Sequence, residues 1–520
     1  MAFAWARRAR ELHDELAAIT DVSVLGPTWW LVAGTAAGAE RLPPRAHYVA
    51  SDAEPNGDTF IGHRSPAPDD PIADAVIRAH AARAAMRELD GQLPDQPLAV
   101  TIQRSDLGAR VVPSQLDIAA FAIGDTVVHA RLADRLEDER ALVAQLADLV
   151  RHGRHAWHAD IAIRASSVHA GENVNLNPVT VMATGVAHVR LPDERGSANG
   201  AGGVDSAIVP FACVSVGEER ITVARHGHRR AWRDHAGPWL GLGRVGDLAT
   251  VSTCHMAVDG YGHAWLSARI AEHAARLATA LSTASSLSRA SRITSDDLPH
   301  LSLVPDGIPL GVAWREIPSP APRALELAYA LGRVLHRVAG KPDARFSPTF
   351  QVPIAPGDAG DPDRIKRRVV HSSISVRFDR GVPEPFDEFE VRAKQILARE
   401  AQGRGLCSRL LTAARAIPVP LAFKRRSFTT GRATLFDKIA EVVGGRACLS
   451  KIRMDTPVPL SCAVSSPARM ATKADPLGGC VLTVIEDGTR AAITACGSGL
   501  AGEADDAADL IDAVLALVRA

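Results

Sequence analysis

One order of elements runs through this sequence twice. Residues 72–89 carry Ala73, Val76, Ile77, Ala81 and Ala84 at helical spacing, with Arg78 and Arg83 on the flanks of that stripe. Strands are expected at 98–103 and 126–132, a helix at 137–149, and strands at 179–190 and 207–216. The pass closes with a β-branched strand at 248–253 and an amphipathic helix through Trp265, Leu266, Ile270, Ala274, Leu277 and Leu281. The second pass has a helix at 324–338, strands at 349–354 and 368–378 and a helix at 386–401. It ends with strands at 460–464, 480–486 and 490–494 and a helix at 505–518. Identity between the passes is slight, so the repeat lies in the order of elements. Such an order suits an α+β fold in each half, a mixed or mostly antiparallel sheet with helices packed against it. The boundary falls where Ser, Pro and Asp crowd together: 1–282 reads as an N-terminal lobe, 283–322 as a linker and 323–520 as a C-terminal lobe. Residues 51–71, rich in Pro, Asp and Gly, read as a loop, and the sequence assigns no chemistry to 1–70.

The closing strand of the first pass runs into Ser-Thr-Cys-His-Met-Ala-Val-Asp-Gly-Tyr-Gly at 252–262. His255 stands where the strand breaks and the chain turns towards the helix. An imidazole there can titrate near neutral pH and reach into a cleft, and Gly260 and Gly262 permit backbone angles that a side chain forbids. A lone histidine near a strand end is more often structural than catalytic. Here the strand before it, the helix after it and a second half built on the same plan favour catalysis. Setting Thr253 against Thr494 puts His255 opposite Cys496 and Asp259 opposite Leu500, so the second pass lacks the motif.

His255-x-x-x-Asp259-Gly260 between a strand and a helix resembles the HxxxDG signature of the chloramphenicol acetyltransferase-like acyltransferases. That superfamily includes dihydrolipoyl acyltransferases, peptide-synthetase condensation domains and wax ester synthase/diacylglycerol acyltransferases. Several of these groups carry a second histidine just before the catalytic one, where this chain has Cys254. The resemblance covers roughly 72–520 and implies two chloramphenicol acetyltransferase-like lobes, a pseudo-dimer in one chain, with the active site in a tunnel between them. It implies transfer of an acyl group from a thioester, borne by CoA or by the phosphopantetheine of a carrier protein, to a hydroxyl, amine or thiol. CoA or phosphopantetheine enters as substrate, and no tightly bound cofactor is expected. His255 is then the general base, and Asp259, the other catalytic residue of the motif, is a second proton-relay member or a loop anchor paired with an arginine, the anchor being the favoured role. Residues 460–467, Leu-Ser-Cys-Ala-Val-Ser-Ser-Pro, are similar to the Ser-Asn-x-x-Gly-Pro stretch of wax ester synthases. Ser465 matches the family serine that faces the base, Ser466 stands where asparagine is usual, and Arg469-Met470 replace Gly-Pro. On this reading Ser465, Ser466 and Gly260 line the substrate, and the first-half counterpart Thr184 faces an empty second site. The alternatives are a condensation-type ester- or amide-forming enzyme working between carriers, and a non-catalytic acyltransferase-fold scaffold.

At 520 residues and 46% hydrophobic content the chain can bury sizeable cores. Lys+Arg and Asp+Glu both number 59, so net charge recruits neither nucleic acid nor an anionic membrane. Seven scattered cysteines without CxxC spacing read as reduced thiols and a cytoplasmic home. Residues 1–20 read as an amphipathic helix instead of a signal peptide, and no apolar run is long enough to span a bilayer. Two GxGxxG strings, at 241–246 and 497–502, lack the strand-helix context and the following βαβ unit of a dinucleotide site. His152, His155, His158, His226 and His228 sit among arginines without a carboxylate or thiol set, so no metal site is expected. Cys254 and His255, as strand neighbours, should point apart. Lys424-Arg425-Arg426 is a solvated helix end that, with Phe423 and Phe428, could touch a membrane surface or a carrier face.

Overall fold

The computed structural model describes residues 58–65, 68–92, 100–105, 108–113, 115–123, 126–152, 163–167, 210–217, 221–224, 227–230, 240–245, 248–254 and 260–284 of the first half. Of the second it describes 297–298, 308–309, 311–338, 342–354, 370–402, 404–405, 447–455, 457, 461–464, 481–497 and 504–519. The helix expected at 1–20, the strand expected at 179–190 and the basic run Lys424-Arg425-Arg426 lie outside these residues.

In chain order the first half comprises β1 (Asp58–Arg64), α1 (Pro71–Gln92), β2 (Val100–Ser105), β3 (Gly108–Pro113), β4 (Gln115–Ile123), β5 (Thr126–Arg131), α2 (Arg140–His152), β6 (Ile163–Ser167), β7 (Pro210–Ser215), β8 (Ile221–Ala224), β9 (Gly227–Arg230), β10 (Leu240–Val245), β11 (Leu248–Cys254) and α3 (Gly260–Ala284). The second comprises β12 (Ile308–Pro309), β13 (Gly311–Ile317), α4 (Ala324–Val338), β14 (Phe350–Ile354), β15 (Val370–Ile374), β16 (Phe378–Asp379), β17 (Val382–Pro383), α5 (Phe386–Ala401), β18 (Ala447–Arg453), β19 (Ser461–Val464), β20 (Val481–Glu486), β21 (Ala491–Gly497) and α6 (Ala504–Arg519).

Two mixed sheets dominate, ordered β19-β1-β11-β10-β7-β4-β5-β6 and β13-β21-β20-β18-β14-β15. Their pairings repeat one another. From β1 to β5 through β11, β10, β7 and β4 they run antiparallel, antiparallel, parallel, parallel, antiparallel. From β13 to β15 through β21, β20, β18 and β14 the series is the same. Helices α1, α2 and α3 fall at the same points of the chain as α4, α5 and α6. The fold is α+β in two lobes, and the repeat starts one strand earlier in each than the composition suggests. β1 lies in the stretch read as a loop, and β13 inside the stretch read as a linker. Both are short strands beside prolines and polar residues, so their period-two signal is brief.

The lobes interlock. β19, from the second half, pairs antiparallel with β1, Phe60 opposite Val464 and His63 opposite Ser461. In return β8 of the first half pairs with β12, just ahead of β13. The first core packs α1 and α3 on Phe121, Val214, Leu242 and Val251, and it takes in Met454 and Ile485 from the second half. The second core gathers Leu331, Phe350, Leu482, Val484, Ile493 and Ile511 around α4 and α6. No helix among the described residues is long and apolar enough to cross a membrane.

α1 begins on a proline, whose missing N–H costs nothing there, behind Asp70, whose Oδ1 accepts from the amides of Ile72 and Ala73 at 3.0 Å. Its arginines do not flank the helix in solvent as the spacing suggests. Arg78 and Arg83 are 5% and 3% exposed, because α1 is covered by α3, the sheet and the chain after β5. Arg78 donates to Asp74 Oδ2 at 2.8 Å and to the Ser215 carbonyl at 3.0 Å. Arg83 donates to the carbonyls of Leu132, Ala133 and Asp134 and to His80 Nδ1, whose Nε2 donates to Glu139 at 2.6 Å. These bonds offset the cost of taking both guanidinium groups out of water. Beside Arg78, Arg244 approaches Asp74 at 4.0 Å, and His63 on β1 keeps its Nδ1 away from solvent. Burial, Arg244 and Arg78 lower the His63 pKa to about 4.

Candidate functional site

The HxxxDG segment is bracketed as its sequence predicts: β11 ends at Cys254 and α3 starts at Gly260. His255 and Asp259 themselves lie outside the described residues, as do Ser465, Ser466 and Thr184. What the structure fixes is the frame around them. β11 is held between β1, with Asp58 opposite Cys254 and Phe60 opposite Ser252, and β10, with Gly241 opposite Ser252. Thr250 and Ser252 are buried, and Ser252 Oγ donates to the Gly241 carbonyl at 3.5 Å. Gly241 to Gly246 falls largely within β10, a strand.

The ends of the segment are tied together. His263, 2% exposed in the first turn of α3, donates from Nε2 to the carbonyl of Val251 at 3.0 Å. This bond spans the motif and pins helix to strand, while Ala264, Trp265 and Leu266 bury the next turn in the first core. Sequence reasoning passed over His263, which reads as one more polar residue beside an apolar stripe.

Gly260 meets the second half. Its backbone is helical, without the left-handed φ that the glycine suggests from sequence, and the reason for a bare Cα is contact: a Cβ there would lie 3.3 Å from Ile452 Cδ1 on β18. The neighbouring Tyr261 donates its hydroxyl to Asp455 Oδ2 at 3.2 Å. Ile452 packs against the first core, and Met454 and Ile485 are members of it. The start of α3 is therefore seated on the other lobe.

β19 arrives at the same edge. β1 runs antiparallel to both β11 and β19, so these two point the same way. Val464 stands level with Phe60 and Ser252, two residues short of the level of Cys254. Two strand spacings and two residues of rise put Val464 and Cys254 roughly 12 Å apart. His255 follows one of these strand ends in sequence and Ser465 the other.

The doubled registers revise the comparison between halves. Val251 on β11 and both Ile493 and Ala495 on β21 enter the helix-facing cores. Thr253 shares the parity of Val251, whereas Thr494 has the opposite parity, so the pairing of these threonines is one residue out. Positions of the right parity opposite His255 are Gly497 and Gly499, and neither carries an imidazole.

No family model matches the chain, and no curated protein matches it. Among solved structures, the first condensation domain of the CDA synthetase is similar at 14% identity and a TM-score of 0.37, covering 96% of this chain and 94% of that one. The starter condensation domain of rhizomide synthetase RzmA is similar at 11% identity and a TM-score of 0.35, covering 90% of each chain.

Proposed function

We propose that this protein is an acyltransferase that moves an acyl group from a thioester to a hydroxyl, amine or thiol, in a site where the two lobes meet. The observation that carries the reading is the frame of the motif. A histidine, three residues, an aspartate and a glycine join a central strand of one lobe to a helix seated on the other, and a serine follows the exchanged strand at the same edge.

A thioester is already reactive, so the protein need only deprotonate the acceptor, align it and hold the oxyanion. His255 acts as the base. Asp259 anchors the turn in front of α3. The Ser465 hydroxyl donates to the oxyanion, with Ser466 beside it, and the positive end of the 25-residue α3 favours negative charge at that point. CoA and a carrier-borne phosphopantetheine present the same thioester, and the donor arm of the experiment separates them.

The test is release of free thiol from a panel of acyl-CoAs and acylated carrier proteins, with alcohols, amines and thiols as acceptors. Acceptor-dependent release from one donor class supports the reading. A folded protein that releases thiol from none of them supports a scaffold and contradicts it.

A further inference from the structure

β1 brings an acid to the motif. Asp58, its first residue, stands opposite Cys254 at the end of β11, roughly 5 Å away between Cα atoms, and one further peptide carries the chain to His255. On its other side β1 pairs with β19, Phe60 opposite Val464, and β19 runs towards the Asp58 end. Ser465 follows Val464 in sequence. The first residues of β1 thus lie between the two strand ends from which the proposed base and the proposed oxyanion donor follow. The composition around Asp58 reads as a loop without chemistry, and only the strand register gives this residue a place at the site.

The charges of this lobe are divided along β1. His63 stands opposite Ala249, and so does Arg244 on β10. Arg244 and Arg78 gather there with Asp74, five residues and roughly 17 Å along the strand from Asp58. Arg64, the last residue of β1, lies over the Trp314 ring at that same end. At the Asp58 end the ionisable neighbours are Cys254 on β11, Asp259 in the motif that follows it, and Asp455, which accepts from the Tyr261 hydroxyl in the first turn of α3. The arginines around His63 are therefore remote from the motif, and acids gather close to it.

We propose that Asp58 is a positioning residue of the reaction, its carboxylate favouring the protonated form of His255 and so strengthening it as a base. The proposal rests on the acyl-transfer reading. A carboxylate one strand away, where two lobes meet, is weakly screened by solvent, and its charge acts over that distance without a direct contact. A base that holds its proton more firmly takes one more readily from the acceptor. An aspartate behind Asn56-Gly57 also suits a turn ahead of a strand. Asp58→Asn separates the two roles, because asparagine serves a turn equally well and carries no charge.

The charge state of His255 is read without substrate, from its rate of modification by diethyl pyrocarbonate across pH, resolved by peptide mass spectrometry. Neutral imidazole reacts and imidazolium does not. In Asp58→Asn the midpoint at His255 is expected to move to lower pH by about half a unit or more, and in Asp58→Glu it should stay near the wild-type value. In thiol release the acid limb of the pH–rate profile moves the same way in Asp58→Asn, and the plateau falls by about threefold or more. Melting curves show that each variant is folded. The proposal is overturned if Asp58→Asn leaves the His255 midpoint unchanged, or if the Asn and Glu variants lose turnover equally with the acid limb unmoved. Thiol release by the wild type together with an unmoved midpoint removes this proposal alone. A midpoint that moves in a protein releasing no thiol supports the coupling of Asp58 to His255 and contradicts the acyl-transfer reading.

Discussion

The hydroxyl of Tyr261 donates to Asp455 Oδ2 across 3.2 Å, joining the first turn of the motif helix to the opposite lobe. Tyr261 follows Asp259 by two residues in sequence, and the bond ties the start of α3 to the second half. Tyr261→Phe is expected to lower turnover by about threefold to tenfold, the range of one hydrogen bond, with KM and Tm little changed. Asp455→Asn keeps an acceptor and should retain most of the rate. A loss in Asp455→Asn with none in Tyr261→Phe would show that charge, and not the tether, matters there.

At Gly260 the absence of a Cβ leaves room for Ile452 in that seat. Gly260→Ala brings a methyl to 3.3 Å from Ile452 Cδ1, which the isoleucine must yield to, and Gly260→Val adds bulk that it cannot. Overpacking of this kind costs about 1–3 kcal/mol for the larger change. Thermal melts of Gly260→Val with and without Ile452→Ala check it: the second substitution should recover part of the loss, and simple additivity would contradict the contact.

His263 is expected to matter for stability before it matters for rate. Replacing it by Phe removes the bond to the Val251 carbonyl, at a cost of about 0.5–1.5 kcal/mol, while His263→Gln can restore it. Urea unfolding of the two variants measures the difference, and indistinguishable midpoints would remove the bond from the account.

His63 gives stability a pH dependence. An unfolded histidine titrates near 6.5, and in the folded protein burial, Arg244 and Arg78 hold His63 down to about 4. The unfolded chain therefore binds the proton more readily, and stability present above about 6.5 is lost as pH falls towards about 4, by at most ~3 kcal/mol. Urea midpoints measured between these values should fall more steeply in the wild type than in His63→Gln. Parallel curves would show that His63 is not the group responsible.

The long helices and the strand before the motif were legible because their apolar periods run over many residues. The order of these elements also revealed the doubling. β1 and β13 were not legible: seven residues each, bordered by Pro, Asp and Gly, give a period-two signal that a loop composition masks. Neither was the exchange of β19, since a four-residue strand carries no mark of the sheet it will join. At the site, His255, Asp259 and Gly260 could be singled out as a motif, but His263, Ile452 and Asp455 act through contacts between distant parts of the chain, which one sequence does not display. The role of Gly260 was misread for the same reason, because a glycine needed for contact looks like one needed for a turn.

The most direct measurement is acceptor-dependent thiol release by His255→Ala and Ser465→Ala beside the wild type, with far-UV spectra and melting curves to show that each is folded. The account predicts a loss of at least about a hundredfold in turnover for His255→Ala, the usual contribution of a general base. It predicts a loss in turnover on the order of 3 kcal/mol for Ser465→Ala with KM little changed, as befits a donor to the oxyanion. Near wild-type turnover by folded His255→Ala would contradict it.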